Sequence, residues 1–279
     1  MTFYIKIHDS PRSKILPKEL GYDVIDFNFK LSLIQSISLK PFFLIKGKSL
    51  PKNSNIIIEY GGNFFINFWI ILFNAFKKNN ITIDCHNSAL ENEKGHFLRF
   101  ILNRTYLFIL NRIFNVKLIV HNEYIKPFAL RYSVLETPYP HFNFSNIVKK
   151  DIDVLFLCSL NSDEPISFIL QVCHYLKSKN LNVKITGNYE KVKSLYEPEF
   201  FIMPYPSYKN YINLIRRSKK TVSLTKRKKT LLFAPREAIS LGVKCYVNNS
   251  ETNRNFYADR VEYLDIKQFQ STCKMLYYN

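Results

Sequence analysis

Short, near-continuous apolar runs recur along this chain, and each ends at a polar or glycine-containing break. Asn55–Tyr60 (NIIIEY) runs into Gly61-Gly62-Asn63, residues 81–85 (ITIDC) into His86-Asn87-Ser88, and residues 116–120 into His121-Asn122-Glu123. Residues 153–158 (DVLFLC) run into Ser159-Leu160-Asn161. A strand with one wet face alternates apolar and polar residues; a strand covered on both faces does not. Helix-like segments lie between the runs, at residues 64–78, 95–114, 165–178 and 208–217. Continuous strands alternating with helices predict an α/β protein with parallel sheets covered on both sides.

Further strands are expected at residues 3–7, 22–27, 42–45, 183–186, 200–203 and 261–264, with a closing helix from Ile266. The pattern breaks once, at Thr137-Pro138-Tyr139-Pro140-His141 and the polar residues after it, and then restarts. The break divides 279 residues into segments 1–145 and 146–279, each large enough for a doubly wound domain. The two halves share the pattern and no repeated sequence.

The formal charge is +18, spread evenly: residues 1–150 hold 20 Lys+Arg against 10 Asp+Glu, leaving 20 against 12 in residues 151–279. A diffuse excess points to a generally anion-attracting surface rather than a basic tail. Five cysteines, at 85, 158, 173, 245 and 273, are odd in number and lack C-x-x-C spacing, as expected of free thiols in a reduced cytosolic setting. The first residues read directly into a strand, so no signal peptide is expected. No apolar run reaches the length of a membrane span.

Residues 220–248 form the most informative stretch: a strand at 221–224, a basic turn from Thr225 to Lys229, a helix at 231–241, a stop at Gly242 and a strand at 244–247. The turn falls at the carboxyl end of a strand and the amino end of a helix, where open α/β sheets bind ligands and free N–H groups favour anions. Lys226, Arg227, Lys228 and Lys229, with Thr230, are placed to hold an anion; a solvated basic turn is the plain alternative.

The segment Glu237-Ala238-Ile239-Ser240-Leu241-Gly242-Val243-Lys244-Cys245-Tyr246-Val247 resembles the E-A-x-x-x-G-x-P-V-I segment of GT-B glycosyltransferases of family 4 and its relatives. Two positions depart from it: Lys229 stands where that family carries another Glu, and Lys244 replaces the Pro. Ile83-Asp84-Cys85-His86-Asn87 resembles the D-W-H-N segment of the mannosyltransferases that extend lipid-linked chitobiose. Ser159-Leu160-Asn161-Ser162-Asp163-Glu164 resembles the Ser/Thr-rich, Asp-Glu-containing loop after the first strand of their second domain; the Arg and Lys of the general family 4 pattern are absent there.

The resemblance implies a GT-B fold, two Rossmann-like domains facing each other across a cleft, with residues 1–145 on the acceptor side and 146–279 binding the nucleotide sugar. It implies transfer of a sugar from a nucleotide-diphosphate donor, the co-substrate, to a saccharide or lipid-linked saccharide in surface polysaccharide or glycoconjugate assembly. No other cofactor and no metal are expected. Glu237 would accept hydrogen bonds from the ribose, with Arg236 beside it and Ser159 on the donor side. Tyr205, in Pro204-Tyr205-Pro206, sits where GT-B proteins hold the base.

Such a reaction must neutralise a leaving diphosphate and activate a hydroxyl. His86 and Asp84 are the candidates for acceptor activation, since alternation points both side chains the same way. Gly61, Gly62, Asn63, His8 and His121 are candidates for the acceptor side, each at a predicted strand end. Each of these also reads as an ordinary strand terminus or turn. The helices at 64–78 and 95–114, rich in Phe, Ile and Leu with Lys77, Lys78, Arg99, Arg104 and Arg112 nearby, suit either a core or an anionic membrane surface, giving a cytoplasmic protein peripheral to the membrane. Two readings compete: a degenerate, non-catalytic GT-B protein, and a basic nucleic-acid-binding α/β protein. The second lacks a basic stripe and any RNP, KH or zinc-finger pattern, so no nucleic-acid partner is expected. No G-x-G-x-x-G follows a strand, which argues against a dehydrogenase.

Overall fold

A computed structural model describes residues 1–7, 16–27, 35, 40–46, 51–60, 64–85, 97–120, 131–135, 138–144, 146–160, 163–196, 198–204, 206–227 and 231–278. They form two compact units, Met1–Pro138 and Tyr139–Asn279, which divide inside the proline-containing break.

The first unit contains β1 (Thr2–Lys6), β2 (Asp23–Asp26), α1 (Lys40–Lys46), β3 (Asn55–Tyr60), α2 (Phe64–Phe76), β4 (Asn80–Cys85), α3 (Phe97–Phe108), β5 (Lys117–Val120) and β6 (Tyr132–Val134). Its sheet is parallel throughout, in the order β2-β1-β3-β4-β5-β6. Strand β3 is buried on both faces. Ile56, Ile58 and Tyr60 join Ile5, Ile70, Ile83 and Leu107 on one side, while Ile57 joins Tyr4, Leu16 and Ile119 on the other.

The second unit contains β7 (Ile152–Phe156), α4 (Ile166–Ser178), β8 (Val183–Ile185), α5 (Tyr208–Arg217), β9 (Ser218–Ser223), α6 (Ala234–Ser240), β10 (Lys244–Asn248), α7 (Glu251–Tyr257), β11 (Glu262–Leu264) and α8 (Phe269–Tyr278). Its sheet, also parallel, runs β11-β10-β9-β7-β8. One cluster around Val154, Phe156, Val172 and Val222 fills one face, and one around Leu155, Ile215, Cys245 and Val247 fills the other. Gly242 closes α6 at φ +66°, the left-handed geometry a side chain resists.

Several local expectations are corrected. Residues 42–45 are not a strand but part of α1: Pro41 falls in the first helical turn, where a missing N–H costs nothing, and Ile45 is fully buried. Residues 200–203 make only a single bridge, Phe201 to Ile185, because Pro204 has no N–H with which to continue a ladder. The helix expected at 231–241 starts at Ala234, with Pro235 in its first turn. Strand β6 was not legible, being three exposed residues on the sheet edge. Nor was the π-helical turn Ile109–Ile113 that continues α3. There Asn111 is buried and ties the turn to its surroundings. Its amide donates to the carbonyls of Val116 and Arg131 at 2.9 Å each, and its oxygen accepts from the Arg131 N–H at 2.8 Å.

Trp69, the chain's one tryptophan, packs against the first core, so its fluorescence reports on that unit. Ile58→Ala removes a side chain that is 1 % exposed in the central strand and should lower the unfolding free energy followed by Trp69 by about 2–5 kcal/mol. Unchanged urea unfolding would contradict the packing described.

Candidate functional site

In an open parallel sheet the strand order reverses at one place, and the loops leaving the two flanking strands diverge to leave a crevice at their carboxyl ends. In the second unit that place is between β7 and β9: β7 leads to β8 on one side and pairs with β9 on the other. The loop after β7 carries Ser159, Asp163 and Glu164. The loop after β9 carries Thr225, Lys226 and Arg227.

Hydrogen bonds tie these loops down. The Ser159 N–H donates to both Glu164 carboxylate oxygens, at 2.9 and 3.1 Å, and the Ser159 hydroxyl donates to Oε1 at 3.1 Å. Lys191 Nζ donates to the Ser159 carbonyl at 3.1 Å. The Thr225 hydroxyl donates to Asp163 Oδ2 at 3.1 Å, the Arg227 guanidinium lies 3.5 Å from that oxygen, and the Lys226 N–H donates to the Asp163 carbonyl at 2.6 Å. Between Ser159 and the acids, Leu160 holds φ +56°, and its side chain lies where a Cβ on Gly187 would have to sit. A non-glycine residue in that region is strained and is held there by its surroundings. From β10, Asn248 accepts the Thr225 N–H at 3.1 Å, so three adjacent strand ends are joined.

Helix α6 places its two charged residues in different settings. Glu237 is 4 % exposed, and its carboxylate accepts a hydrogen bond from the Tyr208 hydroxyl at 3.0 Å. Burial, reinforced by Glu237, pushes the phenols of Tyr208 and Tyr211 well above their ordinary range, so both remain hydrogen-bond donors at neutral pH. Tyr208 opens α5, where the Ser207 hydroxyl caps the helix by accepting the Asn210 N–H. Arg236 is fully buried, its guanidinium 4.4 Å from the centroid of Phe256, 4.9 Å from Phe233 and 5.9 Å from Tyr139. Tyr257 closes the same cage and donates to the Leu232 carbonyl. Such contacts between a desolvated cation and ring faces are worth up to about 2 kcal/mol each.

In the first unit Asp84 is fully buried and accepts the Tyr4 hydroxyl at 2.9 Å, a bond that spans β3 to link β4 to β1. Glu59, its partner in register, is buried beside it and accepts the Ile7 N–H at 3.1 Å. Both acids therefore have structural work at the carboxyl edge of the first sheet.

The structure thus brings Ser159, Lys226 and Arg227 to one edge of the second sheet. Glu237 stands on the helix that follows, and Arg236 is sealed inside. Lys228, Lys229, Thr230, Tyr205, Gly61, Gly62, Asn63, His8, His86 and His121 lie outside the described residues. The basic run does not lead straight into a helix, because Leu231, Leu232 and Phe233 intervene before α6. Sequence reasoning missed Tyr208 and Tyr211 as partners of Glu237, and Asp163 and Glu164 as partners of the loop donors. The Asp-Glu pair was the one visible signal. All five cysteines are buried; burial pushes Cys245 up to about 12 and Cys273 to about 11, leaving neither as a thiolate at neutral pH. Among the described residues no group of three His, Cys, Asp or Glu is placed to hold a metal.

No family model matches the sequence, and none of the curated proteins does. Solved structures do. An S. aureus TarM mutant in complex with fondaparinux, α-GlcNAc-glycerol and UDP aligns with a TM-score of 0.61 at 13 % identity, over 86 % of this chain and 51 % of that one. The fold is GT-B. The pneumococcal O-GlcNAc transferase GtfA in complex with UDP and GlcNAc aligns at 0.54 and 11 % identity, over 84 % of this chain and 51 % of that one. The UDP-GlcNAc 2-epimerase from Methanocaldococcus jannaschii aligns at 0.51 and 11 % identity, over 100 % of this chain and 93 % of that one. This GT-B chain spans about half the length of TarM and GtfA.

The Arg236 cage makes a prediction about stability. Arg236→Ala leaves a cavity among three rings and should cost the second unit about 2–5 kcal/mol in urea unfolding, whereas Arg236→Met, which keeps the bulk, should cost less. Equal, negligible losses would show that the cage carries no load.

Proposed function

We propose that this chain is a glycosyltransferase that takes a sugar from a nucleotide-diphosphate donor and passes it to a saccharide or lipid-linked saccharide. The observation that carries the reading is Glu237, a buried acid held by Tyr208 on the helix that follows the β9 switch-point loop of a GT-B unit. UDP is the bound nucleotide of the TarM and GtfA complexes that share this fold.

In this reading Glu237 accepts the ribose hydroxyls, and Tyr208 keeps the carboxylate in place as a positioning residue. Ser159, Thr230, Lys226, Arg227 and Lys229 surround the diphosphate, where fixed donors and cations stabilise the charge that develops on the leaving group. Tyr205 stacks on the base. His86 serves the acceptor hydroxyl, with Asp84 holding the strand end before it, and Gly61, Gly62, Asn63, His8 and His121 belong to the acceptor side.

Titration with UDP and with UDP-sugars tests this. Glu237→Ala should cost about 1.5–3 kcal/mol, a roughly ten- to hundredfold rise in Kd, and Tyr208→Phe about 1 kcal/mol. Absence of nucleotide binding by the wild-type chain would reject the proposal. Binding without transfer would leave the degenerate, non-catalytic reading. Conversion of the free nucleotide sugar without an acceptor would point to epimerase chemistry instead.

A lipid-carried acceptor fits a surface of the first unit. Along α3 and the π-helical turn, Ile101, Leu102, Phe108, Ile109, Ile113 and Phe114 are exposed, with Arg112 in the same stripe, while Leu107 and Leu110 face the core. No helix among the described residues is long and apolar enough to cross a membrane. An apolar stripe beside a cation suits the surface of an anionic bilayer. The chain should sediment with phosphatidylserine vesicles, less so as salt rises, and Arg112→Ala should weaken this by about 1 kcal/mol, roughly fivefold. Equal sedimentation with and without vesicles would remove the membrane from the proposal.

A further inference from the structure

The donors at the switch point of the second unit already hold anions, and those anions belong to the chain. Ser159 gives its N–H and its hydroxyl to Glu164, while Thr225 gives its hydroxyl to Asp163, whose carboxylate Arg227 also approaches. Two neighbouring carboxylates thus take up the donors of two loops that flank one crevice. We propose that Asp163 and Glu164 are an internal stand-in for the diphosphate: they occupy its seat in the ligand-free protein, and the ligand enters by displacing them. This rests on the donor-binding reading above and adds to it the way in which access is controlled.

The chemistry of the exchange is balanced. A carboxylate and a phosphate both offer paired anionic oxygens to N–H and O–H donors at similar distances, so a phosphate can inherit each bond that a carboxylate releases. Two carboxylates carry the two charges that a bridging diphosphate would bring. The seat is open to solvent: Ser159 is exposed, and the Asp163 and Arg227 side chains are 20 % and 23 % exposed. The loop that carries both acids is held with Leu160 at φ +56°, so its closed form keeps a strained residue. Departure of the acids would release the Ser159 and Thr225 donors and one side of the Arg227 guanidinium, beside Lys191 and Lys226, which are already exposed, in a chain with a net charge of +18.

A seat that fills itself lowers the apparent affinity of every competing anion by the fraction of time it stands open. A ligand with a second handle, such as a ribose held by Glu237, offsets that loss, whereas a bare diphosphate has nothing to offset it. The stand-in therefore raises the affinity that any anion needs in order to enter, by the same factor for all, and a diphosphate carried on a ribose meets that threshold more readily than a bare one.

Isothermal titration of the wild type, Glu164→Gln and Asp163→Asn/Glu164→Gln with UDP and with pyrophosphate, at one ionic strength, tests the proposal. The double variant should bind pyrophosphate roughly tenfold more tightly than the wild type, as expected if the acids hold the seat for nine-tenths of the time, and UDP more tightly as well. Acids that merely brace the loops would give the opposite sign, weaker binding of both. If the double variant does not fold, Glu164→Gln alone, which leaves the Asp163 contacts in place, carries the same comparison. Binding of UDP by the wild type with no tightening in the variants overturns the stand-in and leaves the donor reading intact. Tighter pyrophosphate with no UDP binding by any protein keeps the stand-in and removes the nucleotide. No binding of either ligand overturns both.

Discussion

Asp163 is the contact on which the candidate site depends. It accepts from Thr225 across the gap between the ends of β7 and β9, the one place in the second sheet where consecutive connections leave in opposite directions. Parallel pairing brings strand ends together but does not close the loops that leave them. Those loops emerge with N–H groups that need acceptors, and water or a ligand usually supplies them. Here the chain provides its own acceptors, and with them the geometry in which Ser159, Lys226 and Arg227 are found.

Much of this was legible in the sequence because burial on two faces leaves an unmistakable trace. NIIIEY cannot be a half-wet strand, and β3 is buried on both sides. The strand–helix–strand order of residues 218–248 followed from where Gly242 and the apolar runs fall. Legibility failed where a short apolar segment has no period of its own. Residues 42–45 are expected as a strand from their apolar run alone, but a run of four does not separate strand from helix, and the segment is helical. A π-helical turn leaves no pattern either; it is visible only through the three hydrogen bonds of Asn111.

The site was harder to read than the fold. Glu237 stood out because its neighbours resemble a known segment, but its partner Tyr208 lies 29 residues earlier, and nothing in the sequence couples them. Arg236 drew attention as a cation beside that acid, yet a guanidinium can be held by rings as well as by anions, and Phe233, Phe256 and Tyr139 come from three separate segments. Asp84 looked like a partner for His86 and is engaged with Tyr4, eighty residues away. Long-range pairs of this kind are set by tertiary packing, which no local pattern encodes.

Helix α6 ties these observations together through its orientation. One turn of helix separates side chains by angle, so fixing Arg236 among its rings also fixes the direction in which Glu237 can point. The helix is keyed like a shaft in a slot and cannot roll to suit a different occupant. Divergence among chains built this way would then be written in the flanking loops, while the acid and its keyed neighbour change together or not at all.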